Sequence, residues 1–350
     1  MEKYYTKACN FYYGKISKEK IKNKSAIALN SNKFISFDEI EIISRKTKKK
    51  INIKNINLLN KTLKKKIIND LKLINKKKKF KNLKLSNTPT IMGIINLTPD
   101  SFSDGGKYNK KNKSFIHAKE LINKGCKILD IGGESTRPGS KEVKEDVEWK
   151  RIKSILKKLK KKNIFVSVDT RKSQIMKKSM NYNINLINDV SGLSYDSKTI
   201  SLLKNTNIPF VVNHMRGVPK TMQKKPNYKN VLLDIYDFFE NKIKYLRSLG
   251  IKHNNIILDP GIGFGKNLKH NITLINNISI FHSLGFPIML GISRKRFIKD
   301  LSGKNDSKER LGGTISSSLY AMMQGVQILR VHDFNEVNQS IKVFKSFLLK

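Results

Sequence analysis

The stretch Ile91-Met-Gly-Ile-Ile-Asn-Leu-Thr-Pro-Asp-Ser-Phe-Ser-Asp-Gly-Gly106 is the part of the chain that indicates its fold. Its first half, Ile91–Leu97, is apolar apart from Asn96, which is typical of a strand buried on both faces. Polar residues, Pro and Gly follow, so a loop is predicted after the strand. A carboxamide at the C-terminal end of a buried strand is where α/β enzymes place ligand chemistry. Asn96 is therefore the first candidate site residue.

The same arrangement recurs from residue 89 onwards. Short apolar runs alternate with amphipathic stretches such as Val231–Leu249 and Leu268–Leu284. The predicted strands are Ile91–Leu97, Ile128–Gly132, Phe165–Asp169, Leu186–Val190, Phe210–His214, Ile256–Asp259, Ile288–Ile292 and Ile328–Val331. Strand and helix alternating about eight times in roughly 250 residues predicts a TIM (β/α)8 barrel over residues 89–350. A doubly wound open sheet is the alternative, because periodicity does not show closure.

Residues 1–88 have a different character. They are rich in Lys and Asn and contain one glycine, Gly14. The alternation in Phe34–Ser44 predicts strands, and the spacing of Leu and Ile in Leu58–Ile74 predicts a helix. Lys76–Lys79 indicates a solvated linker. We predict a small α+β or partly ordered module of unknown role. Because it contains no candidate site residue, we expect the barrel to fold and work without it.

The formal net charge of the chain is +44. Nucleic-acid binding is one interpretation of such a charge. The lysines are spread over the whole chain without an aromatic stacking platform, which favours solvated helix faces and no specific nucleic-acid partner. No apolar run is long enough to cross a bilayer, no apolar signal segment follows Met1, and Cys9 and Cys126 lie far apart. These features predict a cytoplasmic protein without a membrane partner.

Polar residues follow each predicted strand, and in a closed barrel they gather on one face. The first group combines two carboxylates, a carboxamide and an ammonium, namely Asp169, Asn188, Asp259 and Lys295. Such groups match the donor and acceptor edges of a flat heterocycle. The second group suits an anion and comprises Asn96, Arg137, Arg330 and His332. An Asn oxygen beside phosphates also suits Mg²⁺. The third group can flank a smaller second substrate and comprises Thr136, Pro138, Phe264 and Arg296.

The motifs that carry these groups resemble those of dihydropteroate synthase, in the same order over about residues 90–334. The Asn96 loop and the loop Ser135-Thr-Arg-Pro-Gly139 are the most specific parts. The resemblance implies that the first group binds the pterin and the second binds diphosphate, with Mg²⁺ at Asn96. It implies that the third group, together with Lys295, lines a pocket for 4-aminobenzoate. The catalytic residues that it implies are Asp169, Lys295, Arg137, Arg330 and His332.

The resemblance also implies an activity, that of a transferase in folate biosynthesis and a sulfonamide target. The amine of 4-aminobenzoate would displace diphosphate from 6-hydroxymethyl-7,8-dihydropterin diphosphate to give 7,8-dihydropteroate. We expect SN1-like character with Mg²⁺-assisted loss of diphosphate, because the pterin ring can delocalise the methylene cation. The loops Thr98–Tyr108 and Glu134–Ser140 are expected to close over the site and exclude water. Barrels of this family often pair, so a homodimer is also implied.

Two departures and two rival functions stand beside this interpretation. Asn213 replaces an expected Met, which makes one wall of the pterin pocket more polar, and Arg296 replaces a Ser expected near the aminobenzoate carboxylate. A pterin-binding methyltransferase that serves a corrinoid protein would share the first group but needs no anion group. A nucleic-acid-binding protein on a degenerate barrel would have lost its site residues.

Overall fold

The computed structural model describes residues 2–78, 85, 89–98, 110–135, 139–217, 221–224 and 226–348. In the helix Lys110–Asn123, side chains are described from residue 113 onward. Within these ranges the chain forms an N-terminal module and a barrel that pack against each other. No helix in the described part of the chain is both long and apolar enough to cross a membrane.

The N-terminal module is a four-stranded antiparallel sheet with two helices. Its elements are β1 (Tyr5–Tyr13), α1 (Gly14–Lys22), β2 (Ile27–Leu29), β3 (Asn32–Ile43), β4 (Lys48–Asn52), a 3-10 helix (Ile53–Leu58) and α2 (Lys61–Asn75). The long strand β3 pairs with all three others. The Asn60 side chain accepts from the Leu63 N–H and caps α2, whose Ile67 and Ile74 pack on Phe37. The α+β prediction is confirmed.

Eight parallel strands form the barrel. They are β5 (Thr90–Asn96), β6 (Ile128–Gly132), β7 (Phe165–Asp169), β8 (Leu186–Asp189), β9 (Phe210–Asn213), β10 (Ile256–Asp259), β11 (Met289–Gly291) and β12 (Ile328–Val331). Their order around the sheet is β10-β9-β8-β7-β6-β5-β12-β11. A parallel bridge between Leu258 and Ile288 joins the two ends of this order. The barrel prediction is therefore confirmed, and the open-sheet alternative is wrong.

Helices follow the strands on the outside of the barrel. They are α3 (Lys110–Asn123), α4 (Glu145–Leu159), α5 (Ser173–Met180), α6 (Lys198–Lys204), α7 (Val231–Ser248), α8 (Leu268–Asn276), α9 (Arg296–Ser302), α10 (Leu311–Met323) and α11 (Phe334–Leu348). The single helix predicted over Leu268–Leu284 ends at Asn276, and a buried 3-10 helix, Ile278–Leu284, follows it. The side chain of Asn277 donates to the Thr273 carbonyl and accepts from Lys7, which fixes the break.

Apolar side chains fill the barrel below its C-terminal opening. The innermost set comprises Met92, Ile128, Leu186, Val211, Ile257, Met289 and Ile328. These residues lie at or near the start of every barrel strand except β7, where the partly buried Phe165 packs against them. The polar residues at the strand ends are left to surround the opening.

The N-terminal module docks on the barrel rather than standing apart from it. The buried ring of Tyr5 packs edge-on against Tyr236 of α7 with centroids 5.0 Å apart, and its hydroxyl donates to Asp237 at 2.8 Å. Ser279 Oγ donates to the carbonyl of Ala8 at 2.9 Å. These contacts cover the buried 3-10 helix of the barrel. They argue against the expectation that the barrel folds and works without the N-terminal module.

The predicted solvated linker also differs from the structure at one position. Lys78 is buried, and its ammonium donates to the carbonyl of Leu73 near the end of α2 at 2.7 Å. Lys76 and Lys77 are exposed as predicted. Lys79 lies outside the described residues.

Candidate active site

A cavity of about 540 Å³ opens at the carboxyl ends of the barrel strands. Seven predicted site residues line it, namely Asn96, Asp169, Phe264, Lys295, Arg296, Arg330 and His332. Asn188 and Asp259 are buried at the ends of β8 and β10. The closed barrel thus brings residues from distant parts of the sequence to one opening, as its topology requires.

Arg330 lies between two carboxylates. Its Nε donates to Asp130 Oδ2 at 2.6 Å, and its Nη2 donates to Asp169 Oδ2 at 2.7 Å. Asn188 Nδ2 donates to the same Asp130 oxygen at 3.1 Å. Asp130 Oδ1 is buried without a hydrogen-bond partner in the described part of the chain. Residues of β6, β7, β8 and β12 therefore form one connected polar cluster.

Burial dominates the electrostatics of this cluster. Burial raises the pKa of Asp169 to about 7, although the charge of Arg330 opposes the rise. Burial lowers the pKa of Arg330, but the carboxylates of Asp130 and Asp169 outweigh this effect and the pKa is raised overall. Two carboxylates face one guanidinium here, so the cluster can accept further N–H donors from a ligand.

Lys295 lies at the N-terminal end of α9, against the loop that follows β10. Its ammonium donates to the carbonyl of Ile262 and lies 4.2 Å from the centre of the Phe264 ring. Burial lowers the pKa of Lys295 to about 8, and the charge of Asp259 opposes this shift. A Cβ at Gly263 would lie 3.1 Å from Lys295 Cδ, so the glycine leaves the space that Lys295 occupies.

Asp259 is held by the backbone of the same loop. Its Oδ1 accepts from the Gly261 N–H at 2.8 Å, and burial raises its pKa. Gly261 has φ +67°, a conformation that favours glycine, and a Cβ there would lie 2.1 Å from the His214 carbonyl oxygen. The tight turn thus fixes the carboxyl of Asp259 at the end of β10.

Asn96 and Asp169 face the same small space. A Cβ placed on Gly132, which lies between them on β6, would be 3.6 Å from both Asn96 Oδ1 and Asp169 Oδ2. Within the described ranges, no group of three or more His, Cys, Asp or Glu side chains is arranged to hold a metal ion. A metal here would therefore need oxygens from a ligand in addition to those of Asn96 and Asp169.

His332 packs beside Ser293 just after the end of β12, the strand that neighbours β5. Its backbone N–H donates to Ser293 Oγ at 3.2 Å, and its Nδ1 lies 3.3 Å from the same oxygen. This pairing orients the imidazole toward the cavity that both residues line.

The predicted loop residues Thr136, Arg137 and Pro138 lie outside the described residues, as does most of the loop Thr98–Tyr108. The base of the second loop is well held. Glu134 Oε2 accepts from Arg171 Nε at 3.0 Å, and its Oε1 accepts from the Val143 N–H at 2.9 Å. Both carboxylate oxygens of Glu134 are therefore engaged by groups other than Arg137.

The two departures from the expected pattern have different surroundings. The Arg296 side chain is 74% exposed at the rim of the cavity, and its Nε lies 3.5 Å from Asp300 Oδ1. Asn213 is buried, and its Nδ2 donates to the carbonyl of Val190 at 2.9 Å. The amide of Asn213 therefore holds the backbone that follows β8.

Two site residues were not predicted from the sequence. Asp130 interrupts the apolar run of β6, and a carboxylate within such a run was the available signal. Lys266 ends the motif Gly261-Ile-Gly-Phe-Gly-Lys266, which resembles a phosphate loop only superficially. The structure places Lys266 in the cavity wall, where its ammonium donates to the carbonyl of Phe264 at 2.9 Å.

Comparisons with known proteins agree with this arrangement. Residues 92–332 match the family described as pterin binding enzyme. The dihydropteroate synthase of Escherichia coli strain K12 is 39% identical over 261 residues, which cover 74% of this chain and 92% of that protein. The dihydropteroate synthase of Bacillus subtilis is 38% identical, over 74% of this chain and 89% of that protein.

Solved structures give the same result. The Yersinia pestis dihydropteroate synthase with a sulfonamide drug complex is 37% identical, with a TM-score of 0.72, over 77% of this chain and 98% of that one. The Xanthomonas albilineans enzyme with 4-aminobenzoic acid is 33% identical, with a TM-score of 0.71, over 76% of this chain and 94% of that one.

The chain therefore belongs to the pterin-binding enzymes. Within them it belongs to the dihydropteroate synthases, transferases of folate biosynthesis that make dihydropteroate. The family, enzyme class and activity predicted from the sequence are confirmed, and neither rival function is needed.

Proposed function

We propose that the cavity at the strand ends joins 6-hydroxymethyl-7,8-dihydropterin diphosphate to 4-aminobenzoate, with the residues predicted from the sequence in the roles below. The observation that carries this assignment is the buried cluster in which Arg330 is held by Asp130 and Asp169. In this cluster, carboxylate oxygens that can accept from a heterocycle lie beside a guanidinium that can bind an anion.

The pterin is assigned to Asp169, Asn188, Asp259 and Lys295. The carboxylates of Asp169 and Asp259 accept N–H bonds from the aminopyrimidinone edge, and the ammonium of Lys295 donates to a carbonyl or ring nitrogen. Burial of Asp259 makes these bonds stronger than they would be in water.

The diphosphate is assigned to Asn96, Arg137, Arg330 and His332. The bonds of Arg330 to Asp130 and Asp169 use Nε and Nη2, which leaves Nη1 for a phosphate oxygen. Mg²⁺ fits this position because it prefers few protein oxygens together with phosphate and water, and Asn96 Oδ1 faces the shared space beside Asp169. When bound there, Mg²⁺ would add positive charge beside the leaving group.

The 4-aminobenzoate is assigned to a pocket beside Phe264 and Lys295, with Thr136, Pro138 and Arg296 around it. Support comes from the ammonium of Lys295 above the Phe264 ring and from the position of Arg296 at the cavity rim. A related structure, that of Xanthomonas albilineans, contains 4-aminobenzoic acid. A sulfonamide drug would compete for this pocket, as one is present in the Yersinia pestis complex.

The reaction requires stabilisation of the leaving diphosphate and does not require a nucleophilic side chain. The cations of Arg137 and Arg330, together with a hydrogen bond from His332, offset charge that collects on the diphosphate as the C–O bond breaks. The pterin ring delocalises the positive charge left on the methylene, and the carboxylate of Asp169 steadies it, which gives SN1-like character. The aromatic amine then attacks with little need for a general base.

Release of diphosphate by the purified protein, with and without 4-aminobenzoate, tests the proposal. We expect release coupled to formation of 7,8-dihydropteroate, and we expect EDTA to stop it. Full turnover in EDTA would remove the metal from the proposal. Release that ignores 4-aminobenzoate would contradict the assigned second substrate.

We also propose that the protein forms a homodimer through α10 and α11. These neighbouring helices expose Tyr320, Val343 and Phe347, and Val343 and Phe347 lie four residues apart on one face of α11. Sedimentation should show a dimer that Phe347→Lys dissociates. A wild-type monomer at micromolar concentration would contradict this proposal.

A further inference from the structure

Lys266 is a buried lysine in the wall of the cavity. It is 3% exposed, and its ammonium donates to the carbonyls of Phe264 at 2.9 Å and His214 at 3.2 Å. Its third partner is Nδ1 of the His214 ring, at 3.0 Å. Lys266 therefore makes three hydrogen bonds to two segments that come from different strands.

These bonds join the end of β9 to the loop after β10. The two segments lie very close, because a Cβ at Gly265 would be 2.7 Å from the carbonyl oxygen of Arg216. Tyr228 adds a second tie by donating to the carbonyl of Gly265 at 2.9 Å. The His214 ring is itself held edge-on to Phe238, with centroids 4.8 Å apart. The loop therefore rests on a fixed support.

The same loop presents two groups to the cavity. The ring of Phe264 lies 4.2 Å from the ammonium of Lys295, and the carbonyl of Ile262 accepts from that ammonium. Because Lys266 holds the carbonyl of Phe264, it fixes the peptide from which the ring projects.

We infer that Lys266 is a positioning residue for the second substrate, which sets the Phe264 ring against Lys295 and thereby shapes the 4-aminobenzoate pocket. The inference rests on the proposed function of that pocket.

The chemistry of the pair also defines the state of His214. As an ammonium, Lys266 has only donors, and Nδ1 of His214 is then the acceptor with the ring proton on Nε2. Burial, and then the charge of Lys295, lowers the pKa of Lys266 well below its ordinary value, so the tautomer of the His214 ring reports the charge that Lys266 carries. Burial, and then the charge of Lys266, keeps the pKa of His214 well below its ordinary value. His214 should thus remain neutral while it holds Lys266.

Three variants of the full-length protein test the positioning role. Lys266→Met should raise KM for 4-aminobenzoate roughly tenfold while kcat and pterin diphosphate affinity stay within about twofold of wild type. Lys266→Arg keeps a donor and should restore part of the loss. Lys269→Met is the matched control, because Lys269 is exposed on α8, and it should behave as wild type. An unchanged KM in Lys266→Met, or equal losses for both substrates that Lys266→Arg does not rescue, would overturn the inference.

Nitrogen NMR of histidine-labelled wild-type protein provides the second test and needs no variant that might fail to fold. Nδ1 of His214 should give the signal of an unprotonated acceptor across the neutral pH range. A protonated Nδ1 would mean that a neutral Lys266 amine accepts from the ring, and it would overturn the role of Lys266 as the donor that joins the two segments. The proposed function and the role of Lys266 can fail independently. A wild-type protein that forms no dihydropteroate would refute the proposed function, whereas normal turnover with an unaffected Lys266→Met variant would refute only the role of Lys266.

Discussion

Arg330 Nη2 lies 2.7 Å from Asp169 Oδ2, although the two residues are 161 positions apart on different strands. Arg330 belongs to the proposed diphosphate set and Asp169 to the proposed pterin set. Their hydrogen bond therefore joins the two halves of the first substrate's site. A pterin that bonds to Asp169 also touches the group that orients Arg330, so binding and leaving-group stabilisation are coupled through one carboxylate.

Asp130 should matter for turnover as much as the residues predicted from the sequence. Asp130→Asn keeps the size of the side chain but removes the charge that holds Arg330 Nε at 2.6 Å. We expect kcat to fall on the order of 10- to 100-fold, because a misplaced donor stabilises the leaving group poorly. Steady-state kinetics measure this, with the exposed Asp146→Asn as control. A wild-type kcat in Asp130→Asn would show that Asp169 alone orients Arg330.

The activity should have a narrow pH optimum. Asp169 must be ionised to hold Arg330 and accept from the pterin, and its pKa is about 7, so kcat/KM should fall as the pH drops below that value. Lys295 must be protonated to donate, and its pKa is about 8, so kcat/KM should also fall above that value.

Lys295→Arg separates the two limbs of this pH profile. A guanidinium stays protonated over the whole range, so the falling limb should disappear while the rising limb remains. A falling limb that persists in this variant would assign it to another group.

Arg137→Ala should slow turnover more than it weakens pterin binding. The guanidinium is expected to bond the diphosphate most strongly as negative charge collects there, and losing one such donor costs on the order of 100-fold in rate. The alternative is that Arg137 only pairs with Glu134 or Asp104 and shapes the loop. The bonds of Glu134 to Arg171 and Val143 argue against Glu134 as that partner. A normal kcat with a raised KM would favour the alternative.

The N-terminal module should be needed for stability rather than for chemistry. Tyr5→Ala removes a buried ring packed on Tyr236 and should lower the free energy of unfolding by about 3–5 kcal/mol, as large aromatic truncations do. Tyr245→Ala, at a half-exposed position of α7, is the control and should change it little.

Deletion of residues 1–78 should give an insoluble or readily unfolded barrel, because the 3-10 helix Ile278–Leu284 loses its cover. A soluble truncation with wild-type melting temperature would restore the original expectation of a separable module.

Most of the barrel could be predicted from the sequence because each strand is a short apolar run that ends at a polar residue. The repeat predicts alternating strands and helices but does not show closure, which the bridge between Leu258 and Ile288 establishes. In the closed barrel, strand-end residues such as Asp169 and Asp259 converge. Asp130 could not be assigned in this way, because its role depends on Arg330, which lies 200 positions away.

The docking of the N-terminal module was not predictable for a related reason. It depends on the fit between individual surfaces, such as Tyr5 against Tyr236 and Leu73 against Gly285, and no periodic pattern records such a fit. The burial of Lys78 was not predictable for the same reason. A run of lysines predicts a solvated segment, and only the structure shows that Lys78 donates to the carbonyl of Leu73.

Calorimetric titration of the pterin diphosphate into wild-type protein and Asp259→Ala tests the central assignment most directly. Asp259 is buried at the end of β10, and the assignment makes its carboxylate the acceptor for the pterin N–H edge. We predict a loss of roughly 2–4 kcal/mol in binding free energy, as expected for charge-assisted hydrogen bonds, with an unchanged fold. Asp146→Ala should bind as wild type does. An unchanged affinity in Asp259→Ala would contradict the placement of the pterin in this cavity.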